Sequence, residues 1–193
     1  ITPVGSPSYY LEEYIGLAQA FQAQVVSMVC EGVPVRFPQL AIVLVESGFT
    51  WLPPLMWRLD KNWKGLRREV PWVDRLPSEI IRHSLRLTAQ PLDAPDDEPA
   101  RLREVLDRLG SDRMLMFATD YPHRQFDDPA HTAPAGLSPD SLRRFLGGNP
   151  RADRQQIDQR LTTGSEPHRP TSRRRLAGHD GPSTSSCCQY PAA

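Results

Sequence analysis

The stretch MLMFATDYPH, Met114 to His123, opens as an uncharged apolar run and ends on a carboxylate, Asp120, followed directly by Tyr-Pro-His. The apolar part is too short for an ordinary helix. It is bounded by Ser111-Asp112-Arg113 on one side and Pro122 on the other, which predicts a strand buried on both faces. Strands of that kind belong to parallel sheets covered by helices, and ligands of such sheets collect outside the carboxyl ends of the strands. Asp120 stands at such an end.

Two other segments behave the same way. LAIVLVE, Leu40 to Glu46, is a continuous β-branched run that also ends in a carboxylate, and SLRLTAQ, Ser84 to Gln90, alternates and is stopped by Pro91. Between them lie helical patterns. Ser8 to Cys30 sets Leu11, Tyr14, Leu17, Ala18, Phe21, Val25 and Met28 or Val29 at helical spacing, with Ser8 as the expected N-cap. Trp51 to Arg68 follows a Pro53-Pro54 start, and Pro77 opens a short helical turn. After the acidic linker Asp93 to Pro99, ARLREVLDRLG carries an apolar stripe and a Gly110 stop, and a last helix is expected near Ser138 to Leu146 with Ser138 as its cap. Strict helix–strand alternation predicts an α/β fold with parallel strands joined by right-handed crossovers.

From residue 151 to 193 the chain has no Val, Phe, Trp, Met or Lys, and holds seven Arg against four acidic residues. So little apolar area cannot offset the entropy of ordering, so residues 151–193 are expected to be a disordered or out-of-frame tail, apart from the folded part at 1–150. RPTSRRRL within it lacks the interleaved aromatics of a nucleic-acid surface and reads as a solvated extension.

The totals exclude several classes. With 23 basic and 23 acidic side chains there is no net field to steer the chain to nucleic acid or to an anionic membrane, so neither is expected as a partner. Three cysteines, Cys30, Cys187 and Cys188, have neither zinc nor redox spacing and suit a reducing compartment. No apolar run approaches the roughly 20 residues a spanning helix needs, nor is there a signal-peptide pattern at the N-terminus. The expectation is a cytoplasmic protein acting on a small molecule, with homo-oligomerisation open.

If the three strands are parallel neighbours, Glu46, Gln90 and Asp120 share one rim. A single acidic strand end is as readily a helix cap as a catalytic group, so it is their convergence that argues for function. Asp120 and the nearby His123 form a carboxylate–imidazole pair of the kind that binds a divalent metal or moves protons near neutral pH. Trp51, shortly after Glu46, could line a substrate mouth or simply pack. There is no His-x-His, Cys-x-x-Cys or His-Glu-x-x-His in the chain, and His83, His131, His168 and His179 are scattered singly.

FPQLAIVLVESGFTWLPPLMWRLDKNWKGLRREVPWVDRLPSEIIRHSLRLTAQPLD followed by DRMLMFATDYPHRQFDDP resembles the C-terminal half of the amidohydrolase-related family, whose members include metal-dependent hydrolases and decarboxylases. The resemblance spans roughly residues 1 to 150. It implies the C-terminal part of a (β/α)8 TIM barrel, with the three strands as its sixth, seventh and eighth.

It further implies that Asp120 is the eighth-strand aspartate, which binds the metal, most often zinc, and assists proton transfer. His123 falls in the family's Asp-Tyr-Pro-His run. Glu46, in Glu46-Ser47-Gly48, falls where many members have a catalytic His followed by Gly, and a carboxylate does not reproduce an imidazole's proton chemistry. The assigned roles are catalytic for Asp120, Glu46 and His123, substrate-binding for Gln90 and Trp51, and metal-binding for Asp120.

The resemblance puts the family's first-strand His-x-His pair and fifth-strand His upstream of Ile1, and Gly148-Asn149-Pro150 where members read Asn-Ala. The expected function is metal-dependent hydrolysis of a C–N or C–O bond by an N-terminally truncated form. The alternatives are non-oxidative decarboxylation and an inactive fragment.

Overall fold

The computed structural model describes residues 5–93, 99–122, 133–134 and 137–163. At its centre are three short strands, β1 (Ile42–Leu44), β2 (Leu85–Thr88) and β3 (Leu115–Met116), all parallel and in the order β1-β2-β3. Leu44 pairs with Leu87, and Leu87 with Leu115. Every residue of β2 is buried, as a central strand covered on both faces requires. Each strand begins and ends inside the apolar run that predicts it, because the ladder stops where the chain turns into its rim loop.

The helices are α1 (Tyr10–Cys30), α2 (Val33–Arg36), α3 (Leu52–Leu66), α4 (Pro77–Ser84), α5 (Pro99–Leu109), α6 (Pro139–Arg143) and α7 (Asn149–Thr163), with a wider π-type turn, Arg144–Gly148, joining the last two. Proline stands in the first turn of α3 and of α4, where its missing N–H costs nothing. The Asp60 carboxylate of α3 accepts the Ser78 N–H at 2.9 Å and so caps α4 from a neighbouring helix. At the end of α5, Gly110 has φ +71°, and a Cβ there would meet Arg82 Nε at 2.9 Å. Arg82 needs that space, since its Nε donates to the Leu109 carbonyl at 2.8 Å and closes the helix.

The core gathers where these elements face the sheet: Val25 and Val29 of α1, Leu52 and Met56 of α3, Leu102 of α5 and Leu87 of β2. α1 departs from expectation in two ways. It starts at Tyr10, with Glu12 accepting the Ser8 N–H at 2.7 Å, and Ser8 does not cap it. Its apolar stripe is buried only toward the C-terminal end, while Leu11, Tyr14, Ile15 and Leu17 remain exposed. α2 has too few residues to display a periodicity and went unforeseen. The cap at Ser138 holds, its Oγ accepting the Ser141 N–H at 3.1 Å, but the helix there gives way to the π-type turn after Arg143.

No element ends at residue 150, after which the tail is expected to begin. α7 runs across it to Thr163, and Asp153 makes two hydrogen bonds to Arg86 of β2, Oδ2 to Nε at 2.9 Å and Oδ1 to Nη2 at 3.0 Å. The side chains of Arg86 and Asp153 are only 10% and 14% exposed. A polar segment can therefore be ordered here without much apolar area, because one carboxylate neutralises a guanidinium already buried in the sheet. Residues 164–193 lie outside the described residues. Among the described residues no helix is long and apolar enough to cross a membrane.

Candidate functional site

Because the strands are parallel, the segments that follow them, Val45–Phe49, Ala89–Asp93 and Phe117–Tyr121, leave the sheet at the same edge. Glu46 and Asp120 stand on the two outer segments, with Gln90 on the one between. Two interstrand spacings separate the outer strands, about 10 Å.

Glu46 and Asp120 share a second property. At φ +58° and +63° they are the non-glycine residues with left-handed backbone among the described residues. That conformation costs an L-residue roughly 1–2 kcal/mol, less for Asp than for a longer side chain, so Glu46 is the more strained of the two. Strain of this kind collects where a side chain is held for a purpose.

The loop after β1 is set by short-range contacts. The Glu46 N–H donates to Thr88 Oγ1 at 2.9 Å, and Ser47 Oγ donates to the Gly48 carbonyl at 2.8 Å. Gly48 has φ +60°, and a Cβ on it would meet Asp93 Oδ2 at 2.9 Å and the Pro91 carbonyl at 3.3 Å. Only glycine allows the two rim segments to approach this closely. Trp51 donates its indole N–H to the Ser47 carbonyl at 2.8 Å and packs against the core, which braces the loop from beneath.

Gln90 is 3% exposed, and its Oε1 is buried with no hydrogen-bond partner among the described residues. A buried amide oxygen left unpaired costs about 1–3 kcal/mol, which marks the position as one kept for something other than stability. Asp120 is half-buried and Tyr121, beside it, is exposed. His123 lies outside the described residues.

The structure thus brings Glu46, Gln90 and Asp120 to one rim, with Trp51 beneath the first of them. It also adds Thr88, Ser47 and Asp93, which the sequence reading passed over. The one signal for Thr88 was its place just before the end of a strand otherwise rich in Leu. Nothing in the sequence marks Asp93 as a neighbour of Gly48.

Other chemistry is less well supported. An apolar cavity of about 380 Å3 between α1 and α3, lined by Val29, Leu59, Trp63 and Val70 among others, contains none of the rim residues. Cys30 opens onto it, and burial, followed by the charge of Glu31, pushes its thiol above the ordinary value. That is the reverse of an activated nucleophile.

A parallel sheet clad in helices, with acidic residues at its carboxyl edge, defines an α/β protein, and in such folds ligands collect at the strand ends. The sequence matches the amidohydrolase family over residues 4–152, and the chain belongs to that family. Its fold is shared with an amidohydrolase from Mycobacterium avium subsp. paratuberculosis K-10, at 21% identity and a TM-score of 0.60, covering 78% of this chain and 37% of that one. It is also similar to 5-carboxyvanillate decarboxylase LigW from Sphingomonas paucimobilis, at 27% identity and a TM-score of 0.51, over 65% of this chain and 37% of that one. A third likeness is to a 2,6-dihydroxybenzoate decarboxylase solved with 2,6-dihydroxybenzoate, at 20% identity and a TM-score of 0.53, over 72% of this chain and 41% of that one. The chain therefore spans 37–41% of the length of these structures. No curated protein matches it.

The family generally uses a divalent metal. Among the described residues there is no group of three or more His, Cys, Asp or Glu side chains able to hold one. Tight divalent sites in hydrolytic enzymes take three or more protein ligands, so the described rim does not by itself fit a metal ion.

Proposed function

We propose that this chain is the C-terminal part of a (β/α)8 barrel, β1 to β3 being its sixth to eighth strands, in a metal-dependent hydrolase of C–N or C–O bonds. The observation that carries the reading is the pair of carboxylates, Glu46 and Asp120, on left-handed backbone at the carboxyl ends of strands flanking Gln90. Catalytic groups of barrel enzymes stand at that end of their strands.

In this reading Asp120 is the proton acceptor, and it would be one of several donors to a divalent ion such as zinc, which the described residues do not hold by themselves. Glu46 is a second acid/base or substrate-positioning group. Gln90 offers its amide oxygen to a substrate N–H or O–H, and that bond would satisfy an atom without a partner among the described residues. Trp51 shapes the mouth near Glu46, and His123 keeps a catalytic role on the strength of its place in the Asp-Tyr-Pro-His run of the sequence alone. The substrate is a small molecule, in keeping with a balanced charge that draws the chain to neither nucleic acid nor membrane.

A second reaction has a specific observation in its favour. Two of the similar structures are decarboxylases, one of them the 27% identical protein, so non-oxidative loss of CO2 from an aromatic acid is equally consistent with the site.

The test is Asp120→Asn in a protein carrying this chain within a whole barrel. Metal-dependent turnover should fall at least about a thousandfold if Asp120 both binds and accepts the proton, and normal turnover in the variant would refute its role. Release of bicarbonate or CO2 from aromatic acids, set against release of amine or alcohol from amides and esters, separates the two reactions.

A further inference from the structure

Thr88 is the last residue of β2, is buried, and belongs to neither the core cluster nor the acidic pair. Its hydroxyl makes two hydrogen bonds in opposite senses. It accepts the Glu46 N–H at 2.9 Å across 42 residues of sequence, and it donates to the Gln90 carbonyl at 3.3 Å. One side-chain oxygen therefore joins the main chains of two rim residues on adjacent strands.

The place where this occurs matters. The β1–β2 ladder ends with Leu44 opposite Leu87, and Glu46 lies two residues beyond. Had the ladder continued, the Glu46 N–H would take a main-chain carbonyl and Glu46 would be held extended. The hydroxyl supplies an acceptor off the line of the ladder, so the N–H is satisfied while the backbone turns to φ +58°. A glutamate in that conformation needs surrounding structure to over-determine it, and this bond reaches its main chain from another strand.

We infer that Thr88 is a positioning residue: its hydroxyl latches Glu46 into the left-handed turn and ties that turn to the Gln90 end of β2. The inference rests on Glu46 being a rim group with a chemical role, since Glu46 is the residue whose backbone the latch holds in the left-handed turn. It deepens that reading by giving Glu46 a fixed place relative to Gln90.

Amide hydrogen exchange followed by NMR on the full chain tests it without any need for turnover. In Thr88→Val, which keeps the shape and removes both hydrogen bonds, the Glu46 amide should exchange about tenfold faster, the order expected for one lost hydrogen bond. The Leu87 and Ala89 amides, which donate to the Met114 and Met116 carbonyls, should be unchanged. Thr88→Ser, which keeps the hydroxyl, should restore protection at Glu46.

An unaltered Glu46 amide in Thr88→Val overturns the inference. So does equal acceleration at Leu87 and Ala89, which would mean general loosening, and so does failure of Thr88→Ser to rescue. If Thr88→Val does not fold, the unsubstituted chain and Thr88→Ser decide: a protected Glu46 amide in both supports the latch, and an unprotected one in either overturns it. Failure of the functional reading shows separately, as undiminished turnover in Asp120→Asn.

Discussion

The two ends of the small parallel sheet are built to different rules. At the amino end of β2 and β3 the polar groups described are paired. Arg86 is held by Asp153 and by the carbonyls of His83 and Leu85, and Asn149 donates to the carbonyls of Asp112 and Leu115, both at 2.8 Å. At the carboxyl end, among the described residues, two non-glycine residues sit in left-handed backbone and a buried amide oxygen has no partner. One end spends its polar groups on holding the fold together. The other keeps strain and an unsatisfied acceptor, which are tolerated only where selection acts on something besides stability.

The largest effect should come from the amino end. Asp153→Ala leaves the Arg86 guanidinium buried without its counterion and should destabilise by about 3–5 kcal/mol, read as a lower midpoint in guanidinium chloride with the slope unchanged. A loss below about 1 kcal/mol would mean that the pair is solvated and the contrast between the ends is false.

The next effect has the opposite sign. Gln90→Met replaces a buried amide, whose oxygen has no partner among the described residues, with an apolar chain of similar length and should raise stability by about 1 kcal/mol, measured by the same titration. A marked loss instead would show that the amide is paired in solution. Smallest is Glu46→Gly. Relief of the left-handed conformation is largely offset by the greater freedom of glycine in the unfolded chain, for a net gain of about 0.5 kcal/mol. Destabilisation by more than about 1 kcal/mol would break the claim that Glu46 is strained.

The sequence carried the middle of the sheet better than its edges. The apolar runs at 40–46 and 114–119 and the alternating segment at 84–90 mark strands, and their alternation with helices forces parallel pairing. The acidic strand ends were legible for the same reason: Glu46 and Asp120 are where apolar runs stop.

What escaped depends on contacts between residues far apart in the chain. Arg86 sits in a strand that otherwise looks like core, and only the fold shows that Asp153, 67 residues on, receives it. Composition then misjudged the start of the tail, since a polar segment is ordered here by one ion pair and not by apolar area. Thr88 was invisible because a threonine in a strand is unremarkable until its hydroxyl is seen to accept an N–H from 42 residues away. The exposed half of α1 shows the reverse error. Its stripe has the right spacing, yet the described residues bury it only from Phe21 onward.

The pairing of Arg86 with Asp153 also bears on where this domain can be cut. A protease site or cloning boundary at Pro150 would look harmless by hydropathy, since little apolar surface lies beyond it. It would nonetheless strip a guanidinium in the middle strand of its counterion and expose the base of the sheet to water. Limited digestion should therefore spare the first turns of α7 while the protein is folded, and serial C-terminal deletions should lose solubility abruptly on passing Asp153, well after they have begun to remove residues.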